Sequence, residues 1–386
     1  MDGYEETAEA EEIAGFGRGA PQIVAVGVGG AAGRVLGVAS KEWRHKPMLA
    51  AVDTDAAALG ECGVEYAIAV GRSVANGFGA GGEGKIGRMA AEEDEEALRE
   101  LVAGRKLLLL VAGLGGGAGA GIAPALARLA REENVLTVAL VTMPYEFEGE
   151  RRRAVATEAL GALKETCDAV VAISNQQIRS LLPEGTPIAQ LHGRVDRMLL
   201  AGVNALWNLA GQTTMMNLDF SDLQSLVENS PNQCGFAFGE GEGEGRVDRL
   251  LAMLLDERLT DSRQALSNAG ALILCVTGGD DLTVSETERI RDAVKGSTRA
   301  GAEIKMSVAV LPERRGRVEA TVFTAERWSR TPAGGGGKGA PGQGELVLSY
   351  PAEDDRGLFK GSEQDLYNGA DLDLPTFIRQ GVKIPT

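Results

Sequence analysis

From residue 106 to residue 121 the chain reads KLLLLVAGLGGGAGAG, an apolar run that passes directly into a cluster of glycines. The apolar part has the length of a buried strand, and the glycines mark a turn before a helix. Six of the nine residues from Gly113 to Gly121 are glycine, and each costs about 0.5–1 kcal/mol of backbone entropy. Because packing alone explains such a cluster poorly, we expect its backbone N–H groups to face an extended anion.

Short apolar runs alternate with amphipathic stretches on both sides of this segment. Parallel strands covered by helices produce this alternation. The sequence therefore predicts a doubly wound parallel-sheet α/β domain over residues 21–185. The runs that predict its strands are Ile23–Gly27, Met48–Val52, Lys106–Ala112, Val135–Thr142 and Asp168–Ile173.

The rest of the chain divides into shorter parts. A mainly helical stretch predicts a central connecting helix over residues 186–216. Strand-like runs within residues 217–328 then indicate a smaller α+β domain, with strands at Ala271–Val276, Glu303–Leu311 and Val318–Phe323. Residues 329–367 contain TPAGGGGKGAPGQG, which is typical of a flexible, disordered linker. Residues 1–20 are predicted to be an acidic disordered segment, and residues 368–386 a peptide that docks in a partner's groove.

Charge and composition limit the partners of the chain. Its formal charge is −16 and its isoelectric point is about 4.8, so nucleic acid and anionic lipid would be repelled. Four widely spaced cysteines and two histidines indicate neither disulfides nor a zinc site, as is typical of a reducing cytoplasm. The acidic N-terminus is unlike a signal peptide, and no apolar run approaches the roughly 18 residues that span a bilayer. We expect a cytoplasmic protein that reaches a membrane only through a tether.

A second glycine cluster, Gly27–Gly33, follows the first predicted strand and also opens a helix. By itself, its Gly27, Gly29 and Ala32 fit a dinucleotide-binding fingerprint. Asp53, about twenty residues further on, would then be the ribose-binding acid. A tight turn without a ligand is the other interpretation. An NAD-dependent oxidoreductase has no need of a second phosphate loop in the same domain, so the pair of clusters counts against that function.

With both loops and their neighbours considered, the chain resembles the FtsZ branch of the tubulin superfamily from about Gln22 to Gly381. The family's signature loop GGGTGTG is matched by Gly115–Gly121, with Ala118 and Ala120 in place of the threonines. The other matched motifs are GVGGGG at Gly27–Ala32, NTDAQAL at Asp53–Leu59, GxGAGG at Gly77–Gly82 and PFxFEGxxR at Pro144–Arg152. The resemblance implies a GTP-binding domain, with Mg²⁺ beside the phosphates.

This resemblance also implies roles for side chains around the nucleotide. Glu148 would hold the ribose, Arg152 the phosphate or sugar edge, and Asn175 the guanine base. Asp196 would be a second base contact, for which a solvated helix acid is the alternative. The residues that the match places at the nucleotide are Gly27, Gly29, Gly30, Ala31, Ala32, Arg34, Asp53, Thr54, Gly79, Ala80, Gly81, Gly115, Gly116, Gly117, Ala118, Gly119, Ala120, Gly121, Pro144, Glu148, Arg152, Asn175 and Asp196.

Two departures from the family pattern bear on affinity. Ala118 and Ala120 lack the hydroxyls that would donate to phosphate oxygens, each bond being worth about 1.5–3 kcal/mol. We expect weakened GTP binding that still persists, because the backbone cradle depends on glycine more than on hydroxyls. Arg34 stands where the family usually has Asn, and its charge would partly compensate.

The segment Met216–Leu223 resembles the family's NxDxxD loop at full spacing. By that resemblance Asp219 and Asp222 orient or polarise the attacking water, and Asn217 fixes the geometry. On the family's fold this loop lies opposite the glycine loops, so it reaches a GTP only on the next subunit of a head-to-tail filament. The implied function is a self-assembling GTPase of the cell-division ring.

The alternative function is an FtsZ-like scaffold with weak or absent GTPase activity. The intact catalytic loop counts against this alternative. The tail Asp371–Arg379 resembles the family's terminal peptide, which binds membrane-tethering and regulatory division proteins. The resemblance therefore places the chain at the division site, on the inner face of the membrane.

Overall fold

The computed structural model describes residues 23–43, 47–210, 234–256, 258–325, 366–367 and 370–371. The predicted catalytic residues Asn217, Asp219 and Asp222 lie outside these ranges, as do the acidic N-terminus, most of the linker and the tail beyond Asp371.

A six-stranded parallel sheet organises the first part of the chain, in the order β3-β2-β1-β4-β5-β6. This confirms the predicted doubly wound α/β fold. The prediction missed β3, a strand of only four residues that are mostly exposed although all four are apolar. The strands are β1 Ile23–Val28, β2 Met48–Asp53, β3 Tyr66–Ala69, β4 Leu107–Gly113, β5 Leu136–Met143 and β6 Ala169–Ser174.

Helices cover both faces of this sheet. Along β4, Leu107 and Leu109 pack on the face covered by α1 and α9, whereas Leu108 and Leu110 pack on the face covered by α4 to α7. A strand buried on both faces requires apolar residues at every position, which explains the unbroken leucine run. The helices are α1 Gly30–Glu42, α2 Ala56–Gly60, α3 Arg72–Ala75, α4 Gly84–Glu93, α5 Glu95–Val102, α6 Gly117–Glu132, α7 Glu150–Thr166, α8 Asn175–Leu181 and α9 Ile188–Ala210.

The second part of the chain is built on a four-stranded mixed sheet, in the order β7-β10-β8-β9. Its strands are β7 Gly235–Glu242, β8 Ala271–Gly278, β9 Glu303–Val310 and β10 Arg317–Ala325. Its helices are α10 Arg246–Leu254, α11 Thr260–Asn268 and α12 Val284–Gly296. Only β8 and β9 run parallel among the described strands of this sheet. The predicted α+β domain is confirmed, although its first strand was missed because five of the eight residues of β7 are glycine or glutamate.

The central helix α9 joins the two sheets through one hydrophobic core. Apolar side chains of α9, such as Leu199 and Leu206, belong to the same buried cluster as Phe236 on β7 and Phe323 on β10. These parts form one compact unit, and a two-residue ladder of β11 Leu366–Tyr367 with β12 Ala370–Asp371 belongs to a second. No helix in the described ranges combines the length and the apolar character needed to cross a bilayer. The domain boundaries given above remain a prediction.

Close packing explains part of the glycine cluster after β4. A Cβ on Gly119 would lie 2.1 Å from the carbonyl oxygen of Gly113, and one on Gly121 would lie 2.3 Å from that of Gly84. A Cβ on Gly117 would lie 2.7 Å from the Cβ of Ala80. The expectation that packing explains this cluster poorly is therefore wrong for these three glycines, which let α6 approach β4 and α4.

Replacing one of these glycines should destabilise the fold. We expect Gly121→Ala to lower the free energy of unfolding by about 1–3 kcal/mol, since the added methyl overlaps backbone atoms of α4. Gly161→Ala in α7 is the control, because its Cβ would have no described atom within 4 Å. That change should raise stability by about 0.5–1 kcal/mol. Urea denaturation of both variants checks the prediction, and equal effects would contradict it.

Candidate nucleotide-binding site

The two glycine turns meet at one point of the large sheet. β1 and β4 are neighbours, and the helices that follow them lie on opposite faces. In doubly wound sheets, ligands bind at this point, in the crevice beyond the carboxyl ends of the strands. The two turns are close together here, because a Cβ on Gly29 would lie 3.9 Å from the backbone nitrogen of Gly119.

Two helix N-termini open onto this crevice. Helix α1 begins after Gly29, whose φ is +90°, and α6 begins after Gly116. Glycine has no side chain to cap a helix, and the first turns, residues 30–33 and 117–120, contain only glycine and alanine. The Gly33 and Ala120 N–H groups donate to the carbonyls of Gly29 and Gly116 at 3.0 Å, and the Gly30 N–H donates to the Asp53 carboxylate. The other N–H groups of these turns and the two helix dipoles are available to an anion. A Cβ on Gly116 would have no described atom within 4 Å, so there is open space in front of α6.

Asp53, at the end of β2, lies inside the protein next to the first turn, where a Cβ on Gly30 would lie 3.8 Å from its Oδ2. Its Oδ1 accepts hydrogen bonds from the backbone N–H groups of Thr54 (2.7 Å) and Asp55 (3.1 Å). Burial raises the pKa of the Asp53 carboxyl, and these hydrogen bonds oppose the rise. The Gly79 N–H donates to the Thr54 carbonyl at 3.1 Å, which joins the loop after α3 to the turn that follows β2. Asp53 and Thr54 are both buried, so they shape the site from beneath.

Glu148 lies beside the second glycine turn. Its Oε1 accepts the Tyr145 N–H at 2.8 Å, and its Oε2 accepts from Arg152 Nη1 at 2.6 Å. A Cβ on Gly115 would lie 3.0 Å from the Cβ of Pro144 and 3.9 Å from Glu148 Oε2. The structure therefore brings Pro144, Glu148 and Arg152 together next to the turn that precedes α6.

The crevice also has a polar end, formed by residues of α8, α9 and α1. Asn175 is the first residue of α8; it is buried, and its Oδ1 has no hydrogen-bond partner among the described residues. Burial raises the pKa of Asp196 on α9, and the charges of Arg34 and His192 lower it. Arg34 Nη1 would lie 3.5 Å from a Cβ on Gly30. Arg34 therefore lies between the first glycine turn and Asp196.

Some predicted nucleotide residues lie in the packing between helices. Ala118 and Ala120 are both buried, and the Ala120 Cβ would lie 3.6 Å from a Cβ on Gly84 at the start of α4. Ala80 is buried against Gly117. The other predicted residues of the glycine turns and the loop after α3 are Gly27, Gly29, Gly30, Ala31, Ala32, Gly79, Gly81, Gly115, Gly116, Gly119 and Gly121.

The sequence did not single out the aromatic group at the polar end. The ring of Tyr145 stacks on Phe147, with centroids 4.9 Å apart, and meets His192 edge-on at 5.7 Å. In the sequence, the aromatic residues of the Pro144–Arg152 motif were the one indication of this group, since His192 is far from them along the chain.

Known proteins are similar to this chain in sequence and in fold. A family model described as Tubulin/FtsZ family, GTPase domain, matches residues 22–183. The cell division protein FtsZ of Buchnera aphidicola subsp. Schizaphis graminum is 30% identical over 303 residues, which cover 78% of this chain and 78% of that protein. The chain belongs to the tubulin/FtsZ family. Residues 22–183 match the family's GTPase domain, and the chain is a GTPase.

Further proteins are similar to this chain over most of its length. The cell division protein FtsZ of Coxiella burnetii is 28% identical over 378 residues, covering 93% of this chain and 96% of its own length. An FtsZ dimer of M. jannaschii, described as empty, has a TM-score of 0.74 and 26% identity, covering 87% of this chain and 99% of its own. The GTPγS-bound protofilament of CetZ2 from Haloferax volcanii has the same fold, with a TM-score of 0.61 at 23% identity; the match covers 81% of this chain and 94% of its own.

Proposed function

We propose that this chain is a cell-division GTPase that binds GTP across its two glycine turns and hydrolyses it between the subunits of a head-to-tail filament. The observation that carries the proposal is the pair of glycine-preceded helix N-termini at the β1–β4 crevice. Two helix N-termini side by side suit a polyphosphate, whereas a single anion needs only one. The names of the relatives support the role in cell division.

Side chains at the other end of the crevice suit a nucleoside. Glu148, next to Gly115, offers carboxylate oxygens to ribose hydroxyls. The unpartnered Oδ1 of Asn175 offers an acceptor to a base N–H. Arg34, between the first turn and Asp196, adds positive charge, so we propose that it partly replaces the hydroxyls absent at Ala118 and Ala120.

Mg²⁺ would enter the site with the nucleotide. Among the described residues, no group of three or more His, Cys, Asp or Glu side chains is placed to hold a metal. Mg²⁺ in phosphate-transfer sites commonly keeps several waters and binds substrate phosphates with one or two carboxylates. When bound, it would neutralise charge that develops on the phosphates.

The catalytic loop would come from a second subunit. Asn217, Asp219 and Asp222 are assigned by resemblance, with the carboxylates orienting the water and the amide fixing their geometry. The neighbouring solved structures are an FtsZ dimer and a CetZ2 protofilament, which supports assembly of this chain as well. A scaffold without GTPase activity is not favoured, because the match is to a GTPase domain.

Localisation follows from charge and from the tail. We propose a cytoplasmic protein held at the division site by membrane-tethering and regulatory proteins that bind residues 371–379. The charge of −16 argues against nucleic acid as a partner and against direct insertion into an anionic membrane.

Shared catalysis predicts that activity depends on protein concentration. Specific GTPase activity should rise with concentration and level off once most subunits are in filaments, because only an interface positions the attacking water. Asp222→Ala should abolish turnover while leaving GTP affinity within about twofold of the parent, since its role is confined to the transition state. Phosphate release and sedimentation measured on the same samples check both expectations.

A mixing experiment tests the same idea without relying on concentration. Asp222→Ala subunits mixed with Gly116→Trp subunits should regain some turnover, because an intact crevice then meets an intact loop at some junctions. Constant specific activity at dilutions where no polymer sediments, with no rescue on mixing, would overturn the shared site and leave a monomeric nucleotidase.

A further inference from the structure

Tyr145 carries a buried hydroxyl without a partner. The residue is 1% exposed, and its Oη has no hydrogen-bond partner in the described part of the chain. An unsatisfied buried hydroxyl costs about 1–3 kcal/mol, so most such groups are paired in the functional state. The matched motif PFxFEGxxR has phenylalanine at this position, which shows that the ring alone can serve the packing.

The Tyr145 side chain is firmly positioned at the polar end of the crevice. Phe147 stacks on one face of its ring and His192 meets it edge-on. The backbone N–H of Tyr145 donates to Glu148 Oε1 at 2.8 Å. A hydroxyl on a ring held in this way has a fixed direction, which hydrogen-bond selectivity requires.

The surroundings of this hydroxyl keep it protonated. Burial raises the pKa of Tyr145 to about 12, and the negative charges of Glu148 and Asp196 add to the rise. At neutral pH the group is therefore an O–H donor. A donor that has no acceptor within the described protein is available to an acceptor atom of a ligand.

Tyr145 and Asn175 follow the ends of adjacent strands. β5 pairs in parallel with β6, with Met143 opposite Ser174, so the two residues leave the same edge of the sheet. The backbone N–H of Glu146 also donates to Gln176 Oε1 at 3.3 Å, which connects the two segments directly. Two buried polar atoms beside this edge of the sheet, the Tyr145 hydroxyl and the Asn175 Oδ1, thus have no partner in the described chain.

We propose that Tyr145 is a specificity-determining residue, whose hydroxyl donates a hydrogen bond to the base of the bound nucleotide at an acceptor such as O6 of guanine. The inference rests on the proposed GTP site. A guanine edge carries an acceptor at position 6, whereas adenine carries an amino donor there. A tyrosine hydroxyl can donate to that oxygen and can also accept from an amino group, so the bond requires a hydrogen-bonding group at position 6 and opposes a purine that carries only hydrogen there.

Tyr145→Phe tests this inference through nucleotide selectivity. With the protein below its assembly concentration, we expect calorimetry to show about three- to tenfold weaker GTP binding, the value of one neutral hydrogen bond. ITP, which keeps the oxygen at position 6, should lose affinity by the same factor. The triphosphate of 2-aminopurine riboside, which has only hydrogen at position 6, should bind the variant as well as the parent.

Stability measured without nucleotide distinguishes this role from a structural one. Tyr145→Phe should unfold at the same urea concentration as the parent or at a higher one, because the removed hydroxyl has no partner to lose. Destabilisation of the nucleotide-free protein, or an equal loss of affinity for all three nucleotides, would overturn the inference. Failure of the parent itself to bind GTP would instead overturn the proposed function.

Discussion

Gly116→Trp should abolish GTP binding, and GTP hydrolysis with it, while the chain stays folded. Gly116 has an extended backbone, with φ −96° and ψ 157°, which any residue can adopt. Its Cβ would have no described atom within 4 Å, so the indole would occupy the space in front of α6. Losing two charge-assisted phosphate contacts of about 1.5–3 kcal/mol each corresponds to a loss in affinity of roughly a hundredfold or more.

Fluorescent-nucleotide titration measures this effect, and urea denaturation shows that the fold is kept. Gly161→Trp is the matched control, since its Cβ also has no described neighbour within 4 Å and the residue lies exposed on α7. That variant should bind GTP like the parent. Gly117→Trp is a poorer tool, because a Cβ there would already lie 2.7 Å from Ala80. Unchanged GTP affinity in Gly116→Trp would show that the phosphates lie elsewhere.

Arg246→Met should lower the free energy of unfolding by about 3–5 kcal/mol, the usual cost of removing one partner from a buried ion pair. Arg246 is buried at the start of α10. Its Nε and Nη2 donate to the two carboxylate oxygens of Glu286 at 2.7 and 2.8 Å, and its Nη1 donates to Asp281 Oδ2 at 2.7 Å. The substitution leaves two partly buried carboxylates without their cation.

The same ion pair predicts a dependence on pH. Hydrogen bonds from Arg246 lower the pKa of Glu286 from 4.5 to about 2, so the folded state favours the ionised form. This stabilisation is present above pH 4.5 and is lost as the pH falls toward 2. The difference in stability between the parent and Arg246→Met should therefore be largest near neutral pH and shrink in acid.

Urea denaturation at pH 7 and at pH 3 measures both effects. Arg289→Met provides the control, because Arg289 pairs with Asp248 on the surface of the same part of the fold, and both side chains are more than half exposed. An exposed pair contributes about 0–1 kcal/mol. If Arg246→Met cost no more than Arg289→Met at pH 7, the buried network would not stabilise the fold as proposed.

Features confined to a few consecutive residues were readable from the sequence. The leucine run at 107–110 indicated a strand buried on both faces, and β4 is such a strand. The glycines at 27–33 and 113–121 indicated turns between strand and helix, and both turns lie at the crevice. Hydrophobic period, run length and glycine content are local properties, so a single sequence shows them directly.

Features that depend on distant residues were decided only by the tertiary structure. Packing of α6 on β4 and α4 determines which glycines of one cluster are structural and which leave space for a ligand. Arg246 meets Asp281 and Glu286, which lie 35 and 40 residues further along the chain. Tyr145 and Asn175, which carry unpartnered atoms, lie at the same edge of the sheet because β5 and β6 pair in register. Burial and hydrogen-bond satisfaction belong to the packed chain, so residue type and spacing alone do not determine them.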